Sequence, residues 1–146
     1  MRTIDFIKDW YVYESQSLAL AGATSDSDQI NIEADADFYL IKLGFFADIA
    51  LAVQTDSSRV LPLVTVQLTD TGSGRQLFNN DLPIPVVFGW GELPYILPIP
   101  RLFKANSLLR IDYTNLTAAT TYNIRLAFSG WKDFGMVYST RQRRAA

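Results

Sequence analysis

An all-β chain, folded as an antiparallel β-sandwich of the jelly-roll kind with about eight strands, is what this sequence predicts. Residues 121–130 alternate cleanly, with Tyr122, Ile124, Leu126 and Phe128 on one side and Asn123, Arg125, Ala127 and Ser129 on the other. A two-residue period with one apolar face belongs to a half-buried strand. Comparable runs recur along the chain at sandwich spacing, and almost no stretch shows the longer period of an amphipathic helix.

Taken in order, residues 4–14 are dense in β-formers (Phe6, Ile7, Trp10, Tyr11, Val12, Tyr13) with bulk on both faces. Such a terminal segment is either a central strand or an arm that packs on something else. Residues 21–28 read as a Gly/Ser/Thr/Asp loop, and 29–34 as a strand with Ile30, Ile32 and Ala34 inward. After a polar turn at Asp35-Ala36-Asp37, residues 38–46 set Phe38, Leu40 and Lys42 against Tyr39, Ile41 and Leu43. Residues 47–53 fit a short helix or a strand. Residues 61–69 alternate again, with Val64, Val66 and Leu68 on one face, and Asp70-Thr71-Gly72-Ser73-Gly74 turns the chain into a hairpin with 75–78. Five of the six prolines lie in 79–100, so that region supplies edge strands or extended loop walls. Residues 108–115 and 121–130, joined by a five-residue linker, predict a last hairpin. The organisation expected is an N-terminal arm at 1–17, a sandwich domain at 18–140 and a basic tail at 141–146.

Composition narrows the chemistry. The chain has 146 residues, of which 49% are apolar, enough for one domain with a sizeable core. It holds no cysteine, hence no disulfide and no thiolate metal site. It holds no histidine either, which removes the commonest general base, the commonest metal ligand and every Ser-His or Cys-His pair. Carboxylate or lysine chemistry stays open, with Glu14, Asp112 and Asp133 as carboxylates whose spacing demands no glycosidase. The expectation is a protein without enzymatic activity, cofactor or metal. Asp26-x-Asp28 and Asp35-x-Asp37 lack the glycine and distal glutamate of a calcium loop and read as solvated turns. Gly72-x-Gly74 with Arg75 opens no helix, so a tight hairpin is a better reading than an anion nest.

Net charge is −2, but residues 1–140 carry 10 basic and 15 acidic groups while Arg141, Arg143 and Arg144 crowd the last six positions. An acidic body with a basic tail does not suit nucleic-acid binding; the tail suits an acidic protein neighbour or a solvated end. Residues 1–10 carry Asp5 and Asp9 and no apolar core, so no secretory leader is expected, and no apolar run approaches the roughly 20 residues of a membrane helix. Synthesis in the cytoplasm, without membrane attachment, is the expectation.

The run from Asp35 to Phe134, about two-thirds of the chain, resembles the capsid decoration (head-stabilising) proteins of tailed bacteriophages. Residues 34–38, 68–75, 94–101, 103–107 and 128–134 carry the resemblance, all of them turn and strand-end signatures. It implies a virion structural protein on the outer surface of the head that bridges neighbouring copies of the major capsid protein as a homo-oligomer, a homotrimer favoured. The expected partner-binding residues are Phe6, Trp10, Tyr11 and Tyr13 of the arm, Phe88, Trp90 and Tyr95 of the proline-rich region, and Arg141, Arg143 and Arg144 of the tail. The competing readings are a tail, neck or fibre component with the same core, and a carbohydrate-binding module using Trp90 and Tyr95.

Overall fold

The computed structural model describes residues 2–16, 18–50 and 60–140, with backbone alone at 2–6, 18 and 136–140. Its strands are β1 (Arg2–Glu14), β2 (Leu18–Leu20), β3 (Ser25–Asn31), β4 (Asp37–Ile49), β5 (Val64–Asp70), β6 (Arg75–Gln76), β7 (Leu82–Pro83), β8 (Tyr95–Phe103), β9 (Leu108–Asn115) and β10 (Tyr122–Thr140). A single helical turn, α1, spans Ile84–Val87.

Two antiparallel sheets pack face to face. The first runs β1-β10-β4-β8, with β2 also paired to β10; the second runs β3-β9-β5-β6, with β7 beside β5. Successive long strands alternate between the sheets, and the pairs β1·β10, β3·β9, β4·β8 and β5·β6/β7 nest inside one another. The chain is thus one long hairpin rolled up on itself, the jelly-roll order. The strand count exceeds the expected eight because β2, β6 and β7 are fragments of two or three residues.

Alternation builds the core. Tyr122, Ile124, Leu126 and Phe128 of β10 face Val64, Val66 and Leu68 of β5 and Leu109, Ile111 and Tyr113 of β9, all buried. Phe88 packs edge-on against Phe128 at 5.9 Å between ring centres. Burial of each such side chain contributes roughly 1.5–3 kcal/mol.

Two expectations are corrected. Residues 108–115 and 121–130 alternate as expected but are not a hairpin: β9 lies in the second sheet and β10 in the first. Both strands bury one apolar face, and the sandwich interior satisfies both at once when they oppose each other. Asn115 holds the crossover. Buried itself, it donates from Nδ2 to the carbonyls of Leu20 and Thr120, while its Oδ1 accepts from the Thr117 backbone and hydroxyl. In β4 the simple alternation breaks at a bulge between Leu40 and Lys42, opposite β8. Leu43, with Ala47 beyond it, therefore joins Phe38 and Leu40 in the core, and Lys42 turns to solvent. The partner register shifts between Ser129 and Gly130, where a Cβ on Gly130 would lie 1.7 Å from the Tyr39 carbonyl, so only glycine fits.

The segment 1–17 contributes β1, the edge strand of the first sheet, paired with β10 from Arg2 to Glu14. Beyond Asp133, β4 no longer accompanies β10, and residues 2–6 with 136–140 continue as a two-stranded ribbon. A bulge at Gly135 (φ +85°) marks its base. The proline-rich stretch supplies β7, α1 and the edge strand β8, in keeping with proline's exclusion from central ladders.

Candidate protein-docking faces

Each sheet turns one face to the core and one outward, and the strand register says which residues share the outward face. On the first sheet, Trp10, Trp131, Tyr39 and Leu102 are directly opposed in turn across β1, β10, β4 and β8. This makes an aromatic row across the whole sheet. Tyr39 stacks on Trp131 (5.3 Å between ring centres, 16° between planes), and the Lys8 ammonium sits 5.4 Å from the Trp131 ring. Trp10 at the end of the row is 76% exposed. Trp131 Nε1 is buried with no hydrogen-bond partner among the described residues.

Beside this row runs a trough of about 390 Å³. Its floor is made of small side chains, Gly44, Ala127 and Ser129, which are mutual neighbours on β4 and β10. Trp10, Phe46 and Pro94 rise along its sides, and Lys42 and the Glu14–Arg125 ion pair (3.6 Å) supply charge. A second concavity of about 610 Å³ opens between the layers on the other edge of the first sheet, beside β8. Leu77, Phe78, Leu82, Val87, Leu97 and Ile99 line it, with Tyr95 at its margin.

Among the described residues two charged side chains are buried, Asp70 and Lys132. Lys132 on β10 is almost wholly buried, and its Nζ donates to the Glu33 carboxylate and to both Asp35 oxygens, each at 3.1 Å. Nζ also lies 4.0 Å from the Tyr11 ring centre. Burial acts to lower the basicity of this ammonium, but the hydrogen bonds to Glu33 and Asp35 outweigh it and hold the group above the usual lysine range. This cluster ties β10 to the 32–36 crossover and closes one end of the sandwich. It is a clamp between layers.

The expected partner-binding residues separate on this geometry. Trp10 and Tyr95 are exposed; Trp90 is half-buried, 6.2 Å from the Phe45 ring centre. Phe6 takes a place in the terminal ribbon opposite Met136. Tyr11 stacks edge-on against Tyr13 and covers Lys132. Tyr13 and Phe88 are core residues, 7% and 2% exposed, and the structure withdraws them from any surface role: Tyr13 packs on Phe38 and its hydroxyl accepts from the Glu33 backbone. Arg141, Arg143 and Arg144 lie outside the described residues.

Tyr39, Phe46, Trp131 and Ile99 were not among the expected site residues. Each sits in an alternating or proline-rich run, but only the cross-strand register aligns Tyr39 with Trp131 and Trp10. The acidic pairs are engaged within the chain. Asp26 Oδ1 and Asp28 Oδ1 accept from the next backbone N–H, Asp28 Oδ2 from Gln16, Asp37 Oδ1 from Ala105, and Asp35 from Lys132. Gly72 donates its N–H to Asp70 in the β5–β6 turn. Among the described residues, no group of three or more His, Cys, Asp or Glu is placed to hold a metal ion. No protein family, curated protein or solved structure matches the chain.

Proposed function

We propose that this chain is a non-enzymatic structural protein of a virion, seated on the outer surface of a phage head. It docks on the major capsid protein through the outward face of its first sheet and bridges neighbouring subunits as a homo-oligomer, a trimer favoured. The single observation that carries a docking role is the aromatic row ending in exposed Trp10, built across a sheet face that has no third layer over it among the described residues. Burying about 150 Å² of an aromatic side chain supplies a gross driving force of about 4 kcal/mol. Repeated over a symmetric lattice, a modest single contact becomes tight through avidity. The assignment to a phage head comes from the resemblance of residues 35–134 to decoration proteins, and the jelly-roll order is compatible with it.

The test is the copy number of this chain in purified particles of the virus that encodes it, by quantitative mass spectrometry against the major capsid protein. A simple fraction of the shell copy number is the expected result. A few copies per particle would move the protein to the tail or neck, and absence from the particle would refute the proposal.

A further inference from the structure

At the β8 edge the second sheet covers the first poorly. Its strands there, β6 and β7, have two residues each, and the apolar cleft of about 610 Å³ opens between them and β8. The β8 wall of this cleft is a bulge. Tyr95 and Ile96 pair with Leu43 and Lys42, and Arg101 pairs with Leu40, so residues 97–100 stand against Ile41 alone. Pro98 and Pro100 stiffen the bulge and donate no backbone hydrogen bond. An incoming strand therefore cannot extend a regular ladder along it. What the wall offers is side chains, with Leu97 half-buried and Ile99 78% exposed.

The cleft changes chemistry along its length. Arg101 lines its far end and also lines a neighbouring hollow of about 370 Å³, where Arg75 and Lys104 stand beside the β5–β6 turn. Arg101 lies 3.6 Å from the buried Asp70 carboxylate, which also accepts from the Gly72 N–H and the Ser73 hydroxyl. Lys104 lies 3.7 Å from Asp37. Arg75 is exposed and in no ion pair among the described residues. Three cations thus meet two carboxylates, one of them buried, on a body whose residues 1–140 carry a net −5. Tyr95 and Arg101 lie opposite Leu43 and Leu40, three strand positions apart. The apolar end and the basic end are therefore about 10 Å from one another, the span of three extended residues.

We propose that this cleft takes an extended segment of the shell protein, with apolar side chains against Leu97 and Ile99 and a carboxylate about three residues away at Arg75 and Arg101. Charge selects this occupant over a second copy, whose tail at 141–146 is basic like the end of the cleft. The proline-bearing bulge likewise disfavours edge-to-edge pairing between two copies. A wall already fixed by proline loses little freedom when a segment seats on it. The inference rests on the proposed docking to the major capsid protein and adds what a bridge needs, a second contact away from the outward face.

The test is site-specific photo-crosslinking of the full chain on purified shells of the major capsid protein. p-Benzoylphenylalanine replaces Ile99 on one wall or, separately, Gln76 on the other, and mass spectrometry reads the captured peptide. The expected capture is a capsid segment with an Asp or Glu within about three residues of the linked position. Arg75→Glu is expected to weaken shell binding at least about fivefold at low salt, with the deficit shrinking as salt rises and the thermal midpoint unchanged. Arg110→Ala, on the outward face of the second sheet, is expected to bind like the native chain. Capture of a second copy, capture of a segment without an acid, no capture from either position, or native affinity in Arg75→Glu overturns the inference and leaves docking through Trp10 intact. A native chain that does not bind the shells refutes the proposed function, and this inference falls with it.

Discussion

The two outward faces of this sandwich are built on the same strand geometry, and they differ in their aromatic content. Across the second sheet the opposed rows read Ser25, Thr114, Thr65; Ser27, Asp112, Gln67; and Gln29, Arg110, Thr69, with Asn31 and Leu108 at one end. Hydroxyls, amides and charges satisfy one another there: Ser25 and Thr114 share a hydrogen bond, Arg110 Nε donates to Asp112, and Gln67 Nε2 donates to the Phe78 carbonyl. Across the first sheet the corresponding rows hold Trp10, Trp131 and Tyr39, then Val12, Ser129 and Lys42, with Phe46 beyond. A face made for water needs nothing further. A face carrying exposed Trp10 beside Trp131 and Tyr39 is what the proposed docking would cover.

Substitutions break or sharpen this contrast, and their expected effects descend in order. Phe128→Ala empties the shared core beneath both faces, where the ring meets Phe88, and costs about 3–5 kcal/mol of stability, read from the denaturant midpoint at constant m-value. Trp10→Ala acts on one face alone. It weakens docking by at least about 2 kcal/mol, roughly 30-fold in Kd, while the unfolding free energy stays within about 0.5 kcal/mol of native. Asn115→Ala leaves both faces unchanged in composition but unties the β9–β10 crossover, at a cost of about 1–3 kcal/mol measured by chemical denaturation.

Alkaline pH probes the clamp and the core without mutation. Burial pushes the Tyr113 phenol above its ordinary value, the Ser15 hydroxyl acting in the opposite sense, and Lys132 also lies above its own ordinary value. Both groups hold their protons more tightly folded than unfolded. Their contribution is fully present below the unfolded values of 10.0 and 10.5 and is lost as pH rises past them toward the folded values. Denaturation midpoints are therefore expected to hold to about pH 9 and then fall. Lys132→Met should flatten the Lys132 part of that fall. The smallest effect belongs to the polar face, where Arg110→Ala removes a half-exposed ion pair and should change neither docking nor stability by more than about 0.5 kcal/mol.

Much of the fold was legible because β-periodicity is local. Residues 122–128 declare their inward set by alternation alone, and the prolines from Pro83 to Pro100 mark an edge by removing ladder donors. What alternation does not carry is the partner of each strand. The 108–130 region reads as a hairpin because its linker is short, yet the buried Asn115 side chain turns that linker into a crossover between layers. The bulge at Leu40–Lys42 reverses a parity that sequence counting would continue. The docking face suffers from the same gap. Trp10 was legible as a bulky residue in a terminal strand, but its row with Trp131 and Tyr39 is a product of register across about 120 residues of chain. Lys132, in a polar-looking stretch, gave no sign of facing inward, since its carboxylate partners lie on a distant crossover.

Hydroxyl-radical footprinting of the full chain, free and bound to shells of the major capsid protein, tests the central claim most directly. It reads side-chain exposure on both outward faces in one experiment. Protection of Trp10, Tyr39 and Phe46 on binding, with Leu108 unchanged, is the predicted result. Protection of Leu108 with Trp10 still fully reactive would contradict the account.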